Sequence, residues 1–94
     1  MRLTTFSDYS LRMLIYLAVR REGLSTIQAI ADSYGVSKNH MMKVAHILGQ
    51  RGYVETIRGK NGGLRLGQPA AEIRIGAVIR ATEEDSALVQ CFKT

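Results

Sequence analysis

The fold is decided by residues 34–48, YGVSKNHMMKVAHIL. Gly35 tolerates a positive φ without strain, so it can end one helix and turn the chain. Ser37 is a good N-cap for the helix that follows. The apolar residues of that helix recur at helical spacing; they are Met41, Val44, Ala45 and Leu48. The stretch therefore predicts two helices joined by a short turn, with polar side chains on the outer face of the second helix.

Two helices are predicted before this turn. The first runs over about residues 7–19, with Ser7 or Asp8 as its N-cap. Its apolar face is predicted to contain Leu11, Leu14, Ile15 and Ala18, widened by Met13 and Leu17. The second helix is predicted to start at a capping box. In it the Ser25 side-chain oxygen accepts a hydrogen bond from the N3 backbone N–H, and the Gln28 side chain reaches back to the N-cap backbone N–H. Its apolar stripe is Ile27, Ile30, Ala31 and Tyr34, and it ends at Gly35.

After the third helix the pattern changes from helical to extended. Residues 53–57, YVETI, are β-branched and aromatic, so they predict a strand. Residues 58–63, RGKNGG, form a glycine-rich turn, and residues 64–66 form a return strand. A break that can hold one helical turn follows at residues 68–71. Residues 73–75 are predicted as a third short strand, and residues 76–82 as a last helix with Val78 and Ile79 facing inward.

Composition and charge narrow the class of protein. The 94 residues are 46% hydrophobic and 22% charged, which fits one globular domain with a modest core. Residues 38–65 contain six basic residues and one acid, Glu55, so they account for the whole net charge of +5. A concentrated basic segment favours a polyanion partner, most commonly nucleic acid. From charge alone, a solvated basic face without a partner is an equal alternative.

Several classes of protein are not expected. The longest apolar run, residues 13–19, is far shorter than the ~20 residues of a membrane span, and no secretory signal is recognisable. The single cysteine, Cys91, excludes an internal disulfide framework and favours a reduced, cytoplasmic location. No nucleophile motif or P-loop is present, so the chain is not expected to be an enzyme.

The candidate nucleic-acid contacts lie on the third helix and on the hairpin turn. A helix that begins at Ser37 can place its first residues in the major groove. There Asn can pair with adenine, Lys with guanine or phosphate, and His with either. These candidates are Ser37, Lys38, Asn39, His40 and Lys43. The alternative is the solvated face of an ordinary surface helix.

The basic turn after a helix-turn-helix is the arrangement of a winged helix. Its cations would contact the minor groove, while its glycines remove steric obstacles and expose N–H groups to phosphate. The candidate wing residues are Arg58, Gly59, Lys60, Asn61, Gly62 and Gly63. An ordinary hairpin turn also explains the Asn-Gly pair, but it does not explain two cations beside a basic helix. The predicted fold class is therefore mainly α with a small β-hairpin, a winged helix-turn-helix.

The chain resembles the family of winged-helix iron–sulfur transcription regulators that includes NsrR and IscR, and most closely the nitric-oxide-sensing NsrR branch. The resemblance is carried by residues 3–9, 34–41, 54–66, 73–76 and 78–81. It implies a bacterial repressor that binds a palindromic operator in double-stranded DNA as a homodimer, with residues 1–82 as the DNA-binding domain. It also implies base contacts from the helix near Ser37 and minor-groove contacts from the wing.

The same resemblance implies an iron–sulfur cluster whose nitrosylation lowers DNA affinity. In this family three cysteines that follow the winged domain hold the cluster, and Cys91 matches the first of them. Asp8 matches an aspartate that can supply an oxygen ligand to the partner subunit's cluster. From the residues alone, Asp8 is instead a helix cap or the i+4 partner of Arg12.

The chain departs from this pattern after Cys91. The other two cysteines and the long dimerisation helix are missing, so residues 83–94 are predicted to begin the cluster-binding loop of a longer, truncated protein. This 94-residue form is not expected to hold the cluster by itself. The alternative is a winged-helix module without a cluster that acts as a plain DNA-binding or protein-interaction domain.

Overall fold

The computed structural model describes residues 5–20 and 23–85. Its elements in chain order are α1 (Thr5–Val19), α2 (Ile27–Tyr34), α3 (Lys38–Gln50), β1 (Val54–Ile57), β2 (Gly63–Leu66), a 3₁₀ helix (Ala70–Glu72) and α4 (Ile75–Asp85). β1 and β2 pair antiparallel, with Val54 opposite Leu66 and Ile57 opposite Gly63. The predicted class, mainly α with a small hairpin, is confirmed.

The core forms where α1, α2, α3 and the hairpin meet. The predicted apolar stripe of α3 is buried throughout, with exposed fractions of 5% or less at Met41, Val44, Ala45 and Leu48. α3 packs against α1, α2 and β1. Because its apolar side is occupied by these contacts, the opposite side of α3 faces outward.

The turn between α2 and α3 has the predicted local chemistry. Gly35 ends α2 at a φ of 67°, in the left-handed region that favours glycine. The Ser37 hydroxyl oxygen accepts a hydrogen bond from the His40 backbone N–H at 3.1 Å, which caps α3. Tyr34 ties this turn to α1, because its hydroxyl donates to the Arg12 carbonyl oxygen at 2.9 Å.

The predicted caps of α1 and α2 are wrong. α1 begins at Thr5, so Ser7 lies inside the helix and is fully buried. Its Oγ lies 2.7 Å from Thr82 Oγ1 of α4, a contact distant in sequence. The N-cap of α2 is Thr26, whose side chain accepts from the Ala29 N–H at 3.0 Å. Ser25 cannot serve as the cap because its backbone pairs with Leu64 of β2.

The predicted apolar face of α1 is partly wrong. Ile15 is 56% exposed, whereas Met13, Leu14 and Leu17 are buried. α1 packs against α3, α4 and β2, and these contacts select which part of its broad apolar surface turns inward. The hydrophobic spacing of an all-apolar stretch does not distinguish these orientations.

The predicted strand at residues 73–75 is also wrong. α4 begins at Ile75, and the Val78 N–H donates to the Arg74 carbonyl oxygen at 3.0 Å, so this segment enters a helix. The predicted helix after it is confirmed and is longer, with Val78 fully buried and Ile79 half-buried. No helix in the described residues is both long and apolar enough to cross a membrane.

Candidate nucleic-acid interface

The outward side of α3 carries polar and basic side chains over its first two turns. Lys38, Asn39 and Lys43 are all exposed. They lie opposite the buried stripe described above, at spacings that place them on one helical face. The structure therefore brings together the predicted α3 residues Lys38, Asn39 and Lys43 on a single outer surface.

Two of the predicted contact residues, His40 and Ser37, already make contacts within the chain. The His40 ring is half-buried, and its centroid lies 6.0 Å from that of Tyr9 on α1. His40 therefore lies at the edge of the outer face, against α1. The Ser37 oxygen is already an acceptor in the α3 cap, so this residue positions the start of the helix in addition to any contact that its hydroxyl makes.

The hairpin loop presents its cations at its tip. Arg58, Gly59, Lys60 and Asn61 are exposed. Gly59 has a φ of 119°, a conformation that L side chains rarely adopt. On the strands below, Arg65 Nε donates to Glu55 Oε1 at 2.6 Å. Because this pair cancels its own charge, Arg58 and Lys60 are the positive charges that the loop offers.

Glycine is required at the base of this loop for packing within the chain. A Cβ on Gly62 would collide with the Ile57 carbonyl oxygen, and one on Gly63 would lie 2.8 Å from the Ser25 carbonyl oxygen. The Gly62 N–H donates to the Gly59 carbonyl oxygen at 3.0 Å. The Gly62 N–H is therefore already hydrogen-bonded inside the loop. The prediction that it is exposed to phosphate is wrong for this residue.

We expect Gly62→Ala to lower the free energy of unfolding by about 1–3 kcal/mol, the usual cost of forcing extra atoms into a packed site. Gly49→Ala is the matched control, because the nearest atoms to its Cβ are at 3.9 Å and 4.0 Å. Gly49 lies inside α3, where alanine is favoured over glycine, so this variant should gain roughly 0.5–1 kcal/mol. Urea unfolding measures both; equal stabilities would contradict the close approach at Gly62.

The helices and the loop meet at one cleft of about 430 Å³. It is lined by the start of α2, the start of α3 and both strands, namely by Thr26, Ile27, Gln28, Lys38, Thr56, Gly62, Gly63 and Leu64. Lys38 belongs both to the outer face of α3 and to the lining of this cleft, so it connects that face to the hairpin. The residues from α2 and β1 were not predicted from the sequence, because only the tertiary fold brings them beside Lys38.

The candidate cluster ligands are not assembled in the described residues. Arg12 Nε donates to Asp8 Oδ1 at 2.8 Å, and both side chains are about half exposed. This hydrogen bond raises the pKa of Arg12. The i+4 pairing predicted for Asp8 is thus confirmed, and the capping role is wrong because α1 starts earlier. Cys91 lies outside the described residues, among which no three His, Cys, Asp or Glu side chains form a metal-binding group.

A family model described as "Iron-dependent Transcriptional regulator", Rrf2, matches residues 3–94. This chain belongs to the Rrf2 family. The HTH-type transcriptional regulator NsrR of Bacillus subtilis (strain 168) is 58% identical over 93 residues, covering 98% of this chain and 64% of the relative. NsrR of Shouchella clausii is 50% identical over 93 residues, which cover 98% of this chain and 62% of that relative. The chain thus spans less than two thirds of the length of these curated relatives.

Solved structures show the same Rrf2-family architecture. CymR (YrzC), the global cysteine regulator of B. subtilis, superposes with a TM-score of 0.84 at 24% identity, covering 99% of this chain and 84% of that one. A transcriptional regulator from Listeria innocua superposes with a TM-score of 0.82 at 30% identity, and the match covers 87% of this chain and 58% of that one. The predicted resemblance and the winged-helix fold are confirmed. Because Rrf2-family relatives are transcriptional regulators and not enzymes, the prediction that the chain is not an enzyme is confirmed as well.

Proposed function

We propose that this chain is the DNA-binding part of a transcription repressor, with α3 in the major groove and the hairpin loop in the minor groove. The observation that carries the proposal is the exposed face of Lys38, Asn39 and Lys43, which adjoins the hairpin at the cleft. The major groove is wide enough to admit an α-helix, and each base pair displays a distinct set of donors and acceptors there. The names of the NsrR relatives support the same function.

Each side chain has a role that follows from its chemistry. The Asn39 amide can pair with adenine, and the lysines can reach guanine acceptors or phosphate. Ser37 and His40 lie at the start of α3, where they can contact the backbone beside the groove. Arg58 and Lys60 would follow the minor groove, together with Gly59 and Asn61 at the exposed tip of the loop. Gly62 and Gly63 would support this contact by allowing the close packing at the base of the loop. The net charge of +5 on residues 38–65 matches a polyanion.

The quaternary part of the proposal comes from the family resemblance. Two copies of the chain would bind the two halves of a palindromic operator, since a two-fold symmetric protein matches two-fold symmetric DNA. Residues 1–82 would form the DNA-binding unit; because α4 continues to Asp85, the cluster-binding loop would begin after this helix and not at residue 83. A cytoplasmic location would accompany this function.

An iron–sulfur cluster and a response to nitric oxide are proposed only for a chain of the relatives' full length. Clusters of this kind are held mainly by several cysteine thiolates, and this sequence contains one cysteine. Asp8, the other candidate, already pairs with Arg12. The residues present therefore do not fit a complete cluster, and no step of the DNA-binding mechanism is assigned to one.

The wing contact is tested by the salt dependence of DNA binding. Lys60→Ala should weaken binding to operator and random duplexes alike and reduce the slope of log K against log salt by about 1 unit, because one phosphate contact and its counterion release are lost. Arg20→Ala is the matched control, since the Arg20 guanidinium lies over the Tyr16 ring, at 4.8 Å from the ring centroid, and outside the proposed interface.

An unchanged slope in Lys60→Ala would remove this residue from the contacts. A chain with no measurable affinity for any duplex at low salt would overturn the proposed function and favour the protein-interaction alternative. Affinity that falls with salt and still prefers one sequence is the result expected for a sequence-specific regulator.

A further inference from the structure

We infer that Met42 is a specificity-determining residue that contacts the C5-methyl group of a thymine in the major groove. This inference rests on the proposed function, because it assigns a base to a side chain on the face of α3 that would enter DNA. It adds an apolar reader to a surface whose other candidate contacts are polar or charged.

Exposure of an apolar side chain on a basic face is the first observation. Met42 is 47% exposed, while the neighbouring Met41 is completely buried. The other large hydrophobic residues exposed in the described ranges, Ile15, Val19 and Ile75, belong to α1 and α4. Met42 therefore stands apart from them, between the polar and basic side chains of the proposed interface.

The register of α3 is the second observation. Met42 follows Lys38 by four residues and Asn39 by three, so the three side chains lie on one helical face. Three residues of helix rise span about 4.5 Å, which is close to the ~3.4 Å between base pairs on one strand. If Asn39 reads one base, Met42 lies opposite a base within about two pairs of it.

The chemistry of the groove identifies the ligand group. The thymine methyl is the apolar feature that the major groove displays, and apolar side chains recognise it by contact. A methionine side chain is flexible and polarizable, so it adapts to such a small apolar surface. A side chain that served only phosphate would need a hydrogen-bond donor or a positive charge, and the thioether of Met42 supplies neither.

The test compares thymidine with deoxyuridine, which lacks only the C5-methyl group of the base. A preferred duplex is first selected with the 94-residue chain from a pool of random sequences. Each thymine is then replaced in turn by deoxyuridine. We expect one such position per half-site, within about two pairs of the base that Asn39 specifies, to weaken wild-type binding about fourfold, the factor for burying one methyl-sized group.

Variants assign the effect to the side chain. Met42→Ala should bind the thymine and deoxyuridine duplexes equally, and Met42→Leu should keep most of the discrimination because it retains an apolar contact. Val19→Ala removes an exposed apolar side chain from α1 and should keep the full wild-type ratio. Since Met42 is exposed, its replacement leaves the core intact, which thermal unfolding verifies.

Different results would overturn the role of Met42 and the proposed DNA-binding function. Wild-type binding that is unchanged at every deoxyuridine position, or a Met42→Ala variant that keeps the wild-type ratio, overturns the role of Met42 and leaves the proposed function standing. A selection that returns no preferred sequence overturns the proposed function, and the inference falls with it.

Discussion

Leu48→Ala is expected to lower the free energy of unfolding by about 2–5 kcal/mol, as large-to-small substitutions in a closed core do. Leu48 is completely buried and is the last member of the α3 stripe. Its removal leaves a cavity beside β1, because the Tyr53 N–H donates to the Leu48 carbonyl oxygen at 2.9 Å and holds the backbone there. A loss of this size is a large share of the stability of a small domain.

Ile15→Ala is the matched control for this core prediction. It removes a side chain of the same volume class from a position that is 56% exposed. Because little apolar surface returns to water, its loss should stay within about 1 kcal/mol. Urea or thermal unfolding followed by circular dichroism measures both variants. Equal losses would contradict the orientation of α1, and would restore the sequence-based prediction that Ile15 faces the core.

Asn39→Ala is expected to weaken binding to a selected operator by about 1–3 kcal/mol, which is roughly 5- to 150-fold in Kd. The expected cause is loss of a bidentate amide contact to one base. Asn39 is exposed on the second position of α3, so its replacement should leave unfolding nearly unchanged. Fluorescence anisotropy with operator and scrambled duplexes at one salt concentration gives the specificity ratio.

Gln50→Ala provides the control for Asn39. Gln50 is also exposed on α3, but it is the last residue of the helix, several turns from the proposed contact. This variant should keep both the affinity and the preference of the wild type. If Asn39→Ala lowers affinity equally for operator and scrambled DNA, Asn39 contacts the backbone and does not read a base.

Prediction from the sequence succeeded where the signal was local. Gly35 and Ser37 end one helix and start the next through their own backbone freedom and hydroxyl oxygen, so their roles follow from their identity. The α3 stripe was also recognisable, because apolar and polar residues alternate there at helical spacing. The exposure of Lys38, Asn39 and Lys43 followed directly from that stripe.

Prediction failed where several local solutions were equally good. Ser25 and Thr26 are both suitable caps, and the choice fell to Thr26 because Ser25 pairs with Leu64, far along the chain. Ser7 resembled a cap as well, yet it is buried against Thr82 of α4. In each case a contact between distant segments decided between residues that short-range rules treat alike.

By itself, the sequence determined the order of the first three helices and the hairpin, the turn before α3, the two cations of the hairpin loop and the family to which the chain belongs. Only the tertiary structure decided which side of α1 is buried, that Ile75 starts a helix, and that Lys38 shares a cleft with the wing. The physical reason is the range of the interactions. Caps, turns and helical stripes depend on residues a few positions apart, whereas helix orientation and clefts depend on how distant apolar surfaces pack together.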